Sequence, residues 1–235
     1  MQQQSETTCR AASPGPDLRH LDTWVFDLDH TLYTVDGDQH TAMEERICCF
    51  VQQHLGMARD PAWALQKRYL QDYGSTLAGL IRHHGIDPDR YHDEINDIAG
   101  LALKPAPQLR SGLARLPGRR LVFTNNCGRF ARAVLDRLEI ADLFCAIVDA
   151  KALDFRAKPD PAAYAALVAL QGVHADRAVL FEDSARNLVP ANALGMTTVW
   201  LNNGLGQSYW RIAAPELHID HETGNLTQFL HSIRV

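Results

Sequence analysis

The chain predicts an α/β protein in which a parallel sheet is wrapped by helices and a helical segment is inserted after the first strand. Three observations carry that prediction. Short apolar runs bounded by turn residues recur along the chain, and from the second run onward they alternate with stretches of helical period. The interval from Asp29 to Thr124 is also far longer than the roughly dozen residues a single crossover helix needs.

The candidate strands are Trp24-Val25-Phe26, Leu121-Val122-Phe123, Ala146-Ile147-Val148, Ala178-Val179-Leu180-Phe181 and Thr197-Thr198-Val199-Trp200-Leu201. Such continuous apolar runs are what strands covered on both faces look like. Helical periodicity occupies 130–138, 161–170 and 185–194, and a weak strand at 217–219 with a helix at 226–233 closes the fold. In the long interval, Met43, Ile47, Phe50, Val51 and Leu55 share one helical face. Pro61 opens a second helix through Leu65 and Tyr69, Leu77, Leu80 and Ile81 mark a third, and Tyr91, Ile95 and Ile98 a fourth. The organisation expected is a loose polar tail over 1–20, a core from 21–33 and 105–235, and a helical cap over 34–104.

Composition narrows the function classes. The 235 residues are 46% hydrophobic and 22% charged, with a net charge of −5 and no dense Lys/Arg run. That disfavours a nucleic-acid or anionic-membrane footprint, so a bound phosphate needs a local site. Five cysteines, an odd number without Cys-x-x-Cys spacing, indicate neither a disulfide framework nor a zinc site, and point to a reducing cytoplasm. The polar N-terminal stretch reads as neither a signal peptide nor a membrane span.

The strongest chemical signal is Asp27-Leu28-Asp29-His30-Thr31-Leu32, which places two carboxylates at a strand's C-terminal end, where open α/β sheets bind ligands. Asp-x-Asp-x-Thr after an apolar run is expected by chance only ~0.01 times in such a chain. The other strand ends add to it. Thr124-Asn125-Asn126 offers a hydroxyl and backbone N–H groups to a phosphate oxygen, and Glu182-Asp183-Ser184 offers adjacent acids to a hard cation, although helix caps use the same residues. Lys158, one of four lysines, stands in Lys158-Pro159-Asp160-Pro161, and the similar Lys104-Pro105-Ala106-Pro107 sits at the return from cap to core. Lys158 is therefore assigned to the active site.

Asp27/Asp29, Thr124, Lys158 and Glu182/Asp183, in this order, resemble the haloacid dehalogenase superfamily from about residue 23 to 201. Residues 27–33, 73–80, 103–105, 123–125 and 181–187 are similar to its pyrimidine 5′-nucleotidase branch, with Glu182 where that branch often has Asp and Asn187 where many members carry a further acid. The resemblance implies a Rossmann-like, doubly wound core with an α-helical cap, and Mg2+-dependent phosphoryl transfer through an aspartyl phosphate. It makes Asp27 the nucleophile and Asp29 the general acid and base. Thr124, Asn125 and Lys158 become the phosphate-binding groups. Asp27, the main-chain oxygen of Asp29 and Asp183 hold the metal, Glu182 is a further ligand or partner, and Asn187 orients Lys158 or a water on the metal.

The implied substrate is a small phosphomonoester, a pyrimidine nucleoside 5′-monophosphate before a sugar phosphate or phosphoglycolate. Tyr69, Tyr73, Ser75, Thr76 and His83 are the cap residues expected to meet base and ribose; packing inside the cap is the other use for the two tyrosines. A phosphomutase shares the same core residues. Asp29 and Asp183 argue against a dehalogenase, Lys67 is the one candidate for a phosphonate hydrolase's Schiff base, and an inactive phosphate-binding module would not need the full set. His83, His84, His218, His221 and Cys127 lack companion ligands or a base and read as structural.

Overall fold

The computed structural model describes residues 15–202, 204 and 219–235. Six strands, β1 (Thr23–Phe26), β2 (Arg119–Phe123), β3 (Ala146–Val148), β4 (Ala178–Glu182), β5 (Thr197–Leu201) and β6 (His221–Thr223), form one parallel sheet in the order β3-β2-β1-β4-β5-β6. This is the doubly wound α/β fold: β1 to β3 step one way, and β4 to β6 step the other.

The alternation of side chains across each strand makes two cores. Trp24, Phe26, Val122, Val179, Phe181 and Val199 enter one cluster, while Val25, Leu121, Phe123 and Leu180 enter the other. Phe26 and Phe181 stack with centroids 4.6 Å apart and planes within 6°, which locks the central pair β1–β4.

Four helices fill the long interval: α1 (Gly37–Leu55), α2 (Arg59–Tyr73), α3 (Thr76–His84) and α4 (Pro88–Ile95). Asp36 and Gln39 form a capping box at the start of α1. Their apolar faces meet in a third cluster of Cys48, Phe50, Val51, Ala62, Leu65, Tyr69, Leu77, Leu80, Tyr91 and Ile95. The core helices are α5 (Pro107–Ala114), α6 (Gly128–Arg137), α7 (Pro161–Gln171), α8 (Ala185–Ala193) and α9 (Leu226–Ser232).

Several expectations move. Ile98 lies beyond the end of α4 and packs on the sheet's cluster instead of the cap helices. Helix α5 has no counterpart in the sequence reading, because Gly112 interrupts its short apolar face; that glycine lets α5 approach Leu230 of α9. The last strand falls at β6 rather than at 217–219, of which Leu217 and His218 lie outside the described residues. Of the expected tail, residues 1–14 also lie outside them. Leu18 is buried, its N–H donates to the Arg234 carbonyl at 2.9 Å, and the Arg234 N–H donates to Pro16 at 2.9 Å.

Gly79 brings α3 against α2. A Cβ there would stand 2.3 Å from Tyr69 Cγ and 2.6 Å from its Cβ. Gly79→Ala is expected to destabilise by about 1–3 kcal/mol through overpacking, after an opposing helix-propensity gain of about 1 kcal/mol. Thermal unfolding checks it, and an unchanged or raised midpoint refutes the close approach.

Candidate active site

The switch in strand order falls between β1 and β4, so their C-terminal ends border the crevice where this architecture binds ligands. Asp27 follows β1 directly, and its N–H donates to the Phe181 carbonyl at 2.9 Å. Leu28 is fully buried in the core, which leaves Asp27 and Asp29 both at the crevice. A turn then forms as the Thr31 and Leu32 N–H groups donate to the Leu28 carbonyl, and the Tyr33 hydroxyl donates to Asp29 Oδ1. Burial first, then Asp29, raises the Tyr33 phenol, so Tyr33 acts only as a donor.

Lys158 joins three strand ends. Its buried Nζ donates to Asp27 Oδ1 at 2.6 Å, Glu182 Oε2 at 2.7 Å and the Phe123 carbonyl at 2.9 Å, three acceptors for the three N–H bonds of an ammonium. Burial works against that charge, but Asp27 and Glu182 outweigh it and hold the ammonium above its ordinary value. The Lys158 N–H donates to Asn125 Oδ1 at 2.8 Å, while Asn125 Nδ2 donates to the Lys158 and Gly74 carbonyls. The Asn125 side-chain amide thus positions Lys158, and Asn125 lines the cavity beside it. Lys104 is exposed on the return from the inserted helices.

Thr124 is wholly buried outside the cavity lining, and its Oγ1 accepts from the Asn126 N–H at 3.0 Å. Glu182 Oε1 accepts from the Ser184 N–H at 3.1 Å, and the Asp183 carbonyl accepts from Trp200 Nε1 at 2.9 Å. Asn187 lines the cavity with its Oδ1 buried and unpartnered.

Charge is unbalanced here. Ligand oxygens of Asp27, Glu182 and Asp183 all lie within 4.8 Å of one another, with one ammonium between them. Burial, then Glu182, pushes Asp27 up to about 8 against the pull of Lys158, and burial followed by Glu182 and Asp27 raises Asp183 well above the carboxylate range. An all-oxygen donor set with surplus negative charge fits a hard divalent cation such as Mg2+.

The cavity, of about 260 Å³, runs from these carboxylates into the inserted helices. Ser75 and Thr76 line it as expected, but Tyr69, Tyr73 and His83 do not. The two tyrosines turn away, Tyr69 OH pairing with His84 Nε2 at 2.8 Å and Tyr73 OH with His83 Nε2 at 2.6 Å. Lys67 lies outside the lining as well, paired with Glu44 and 4.5 Å from the Trp63 ring centroid. Among other polar groups that reach the cavity, His40, Glu44, Gln66, His92 and Asn96 were not singled out by the sequence, and Arg186 appeared there only within the 181–187 segment. Gln66 lies between Ala62 and Tyr69 on a buried helical face, and a polar residue on such a stripe was the available signal.

Lys158→Ala is expected to cost about 3–5 kcal/mol in chelator, because it leaves buried carboxylates without their counter-charge, with part of the loss regained in Mg2+. Denaturant unfolding in both buffers checks this, and an unaltered stability in chelator would remove Lys158 as the pairing group.

Comparison with known proteins agrees with this geometry. The haloacid dehalogenase-like hydrolase family matches residues 21–195. Phosphate metabolism protein 8 of Saccharomyces cerevisiae is 30% identical over 78% of this chain, and the match spans 62% of that relative's length. Phosphoglycolate phosphatase of Rhodospirillum rubrum is 34% identical over 77% of this chain and 79% of its own. Among solved structures, the HAD hydrolase YfnB of Bacillus subtilis, bound to magnesium, aligns over 90% of this chain and 97% of its own, with 16% identity and a TM-score of 0.55. From sheet order, strand-end chemistry and the extent of the family match together, the chain belongs to the haloacid dehalogenase-like hydrolases.

Proposed function

We propose that the chain is a Mg2+-dependent phosphomonoester hydrolase of the pyrimidine 5′-nucleotidase type, working through a phosphorylated Asp27. The observation that carries this reading is the buried Asp27–Lys158–Glu182 set, with Asp29 and Asp183 beside it. A phosphomonoester dianion can be approached by a carboxylate only where positive charge is already in place. Asp27, Asp183 and the main-chain oxygen of Asp29 would hold Mg2+, with Glu182 assisting, and the ion supplies charge neutralisation for the phosphoryl group.

The chain's own residues do the rest. An Asp27 carboxylate oxygen attacks phosphorus as the bond to the leaving oxygen breaks. Asp29 gives its proton to the departing alkoxide, then takes one from the water that cleaves the acyl phosphate. Tyr33 engages Asp29 Oδ1, which leaves Oδ2 to carry that proton. Glu182 and Asn125 hold Lys158 in register, and the Thr124 hydroxyl shapes the loop that leads to the Asn126 N–H. Residues 34–104 act as the cap over the leaving group, and residues 21–33 and 105–235 as the core.

The nature of the leaving group follows from the cap. Met43, Ile47, Leu70, Leu77 and Ile95 make its wall apolar, which suits a nucleoside, and the pyrimidine preference rests on the resemblance of residues 27–33, 73–80, 103–105, 123–125 and 181–187 to the pyrimidine 5′-nucleotidase branch. The second reading, phosphoglycolate, is favoured by the named function of the Rhodospirillum relative and by Arg186 in the lining. That guanidinium, however, donates to the Leu70 and Gln71 carbonyls. No helix among the described residues is long and apolar enough to cross a membrane, and Cys48, Cys49, Cys127 and Cys145 are free thiols, in keeping with a cytoplasmic enzyme acting on a small molecule.

Phosphate release with Mg2+ is expected to be faster from UMP and CMP than from AMP or phosphoglycolate, and to vanish with EDTA or in Asp27→Asn. Activity surviving in Asp27→Asn would end the covalent mechanism, whereas faster phosphoglycolate turnover would end only the nucleotide reading. Asp29→Asn is expected to slow UMP by about 10²–10⁴-fold but p-nitrophenyl phosphate far less, since a phenolate departs with little protonation. Equal losses on both substrates would exclude Asp29 as the acid.

A further inference from the structure

Two buried polar side chains in the cap half of the cavity have hydrogen-bonding atoms that the protein leaves unused. Gln66 of α2 is 1% exposed and lines the cavity. Its Nε2 donates to the Glu44 backbone carbonyl at 3.3 Å, which fixes the orientation of the amide because a carbonyl cannot face a carbonyl. The Oε1 end is then a buried acceptor without a donor. His92 of α4 is 5% exposed, lines the same cavity, and has no partner on either ring nitrogen. Burial lowers its basicity, so the ring is neutral and presents one N–H donor and one acceptor.

Buried polar atoms without partners are uncommon in folded proteins, and two such side chains on separate walls of one cavity describe a ligand. Its complement can be read from the atoms. Gln66 Oε1 requires an N–H or O–H donor, and His92 accepts one bond and donates another, while Met43, Ile47, Leu77 and Ile95 demand an apolar body around those polar points. A glycolate carboxylate has no donor and would leave Gln66 Oε1 as it is. A planar heterocycle with an amide or imide edge has both donor and acceptor beside an apolar face.

We infer that Gln66 and His92 read the hydrogen-bonding edge of a nucleobase in the leaving group, with Gln66 Oε1 accepting from a base N–H. The inference rests on the phosphatase reading of the carboxylate end and specifies what lies at the other end. Neither residue takes part in bond breaking, and both determine specificity.

The test pairs a ligand change with a protein change. Wild-type kcat/KM is measured with Mg2+ on UMP, on 3-methyluridine 5′-monophosphate, which lacks the base N–H, and on phosphoglycolate. Methylation is expected to lower kcat/KM by about 10- to 100-fold, as for loss of one buried hydrogen bond. In Gln66→Met, UMP is expected to fall by a similar factor, methylated and unmethylated substrates to become equivalent, and phosphoglycolate turnover to stay within about threefold. His92→Phe should weaken UMP alone in the same way.

Equal wild-type rates on UMP and its methylated form would overturn the inference without any variant, so a misfolded Gln66→Met cannot shield it. Equal losses on UMP and phosphoglycolate in a folded Gln66→Met would assign Gln66 to cap structure and overturn it too. Phosphate release from phosphoglycolate alone rejects the base reader and leaves the phosphatase standing. Release from none of the three rejects both.

Discussion

Everything at this crevice is arranged around one buried ammonium. Lys158 draws Asp27 from the end of β1, the Phe123 carbonyl from the end of β2 and Glu182 from the end of β4 into a single hydrogen-bonded set. Charges buried this deeply are tolerated only with full hydrogen bonding, and here all three ammonium protons are engaged. The set still carries more carboxylates than cations. Burial and mutual repulsion raise Asp27 and Asp183, which is the electrostatic condition of a site built to receive a further positive charge.

Lys158 also ties this charged end to the inserted helices. Gly74, just after α2, has φ +79°, and a Cβ there would sit 2.0 Å from the Lys158 carbonyl. Asn125 Nδ2 bonds both of those carbonyls, and Arg186 reaches from α8 to the Leu70 and Gln71 carbonyls at the end of the same helix. The end of α2 is therefore pinned to the core beside the lysine that pairs the buried carboxylates, so the wall of the cavity and the charge centre share one support.

How much of this was legible depends on whether a feature is local in sequence. The apolar runs of β1, β2, β4 and β5 are buried strands because a sheet covered on both faces demands apolar residues at successive positions, and Trp24, Val25 and Phe26 display that directly. Asp27, Asp29, Glu182 and Asp183 are equally local, since each ends or follows a strand at the crevice. What failed to show was set by rotation about helix axes. Tyr69 and Tyr73 looked suited to a nucleobase, but α2 turns both toward α3 and their histidine partners. Gln66, of the same helix, faces the cavity, and its one mark in the sequence is a polar residue within an apolar helical stripe. The positioning part of Asn125 was hidden for a related reason, because its partners, Lys158 and Gly74, are distant in sequence and only the fold brings them to it.

The two ends of the cavity solve opposite problems, which explains their opposite compositions. On the proposed mechanism a phosphoryl dianion and an anionic nucleophile share a small volume at the strand ends, so fixed charges and oriented carbonyls dominate and packing has little to contribute. Toward the cap, the Glu44 carboxylate is paired with Lys67 and the Arg186 guanidinium with the Leu70 and Gln71 carbonyls, so on the proposed reading discrimination among leaving groups falls to the apolar wall and its uncharged polar groups. An apolar wall alone discriminates weakly, by roughly 10- to 200-fold for a methylene's difference, whereas a buried acceptor that only the right ligand can satisfy penalises every other occupant. On the proposed reading, Gln66 and His92 among Met43, Ile47 and Leu77 supply selectivity while Asp27, Asp29 and Lys158 carry turnover.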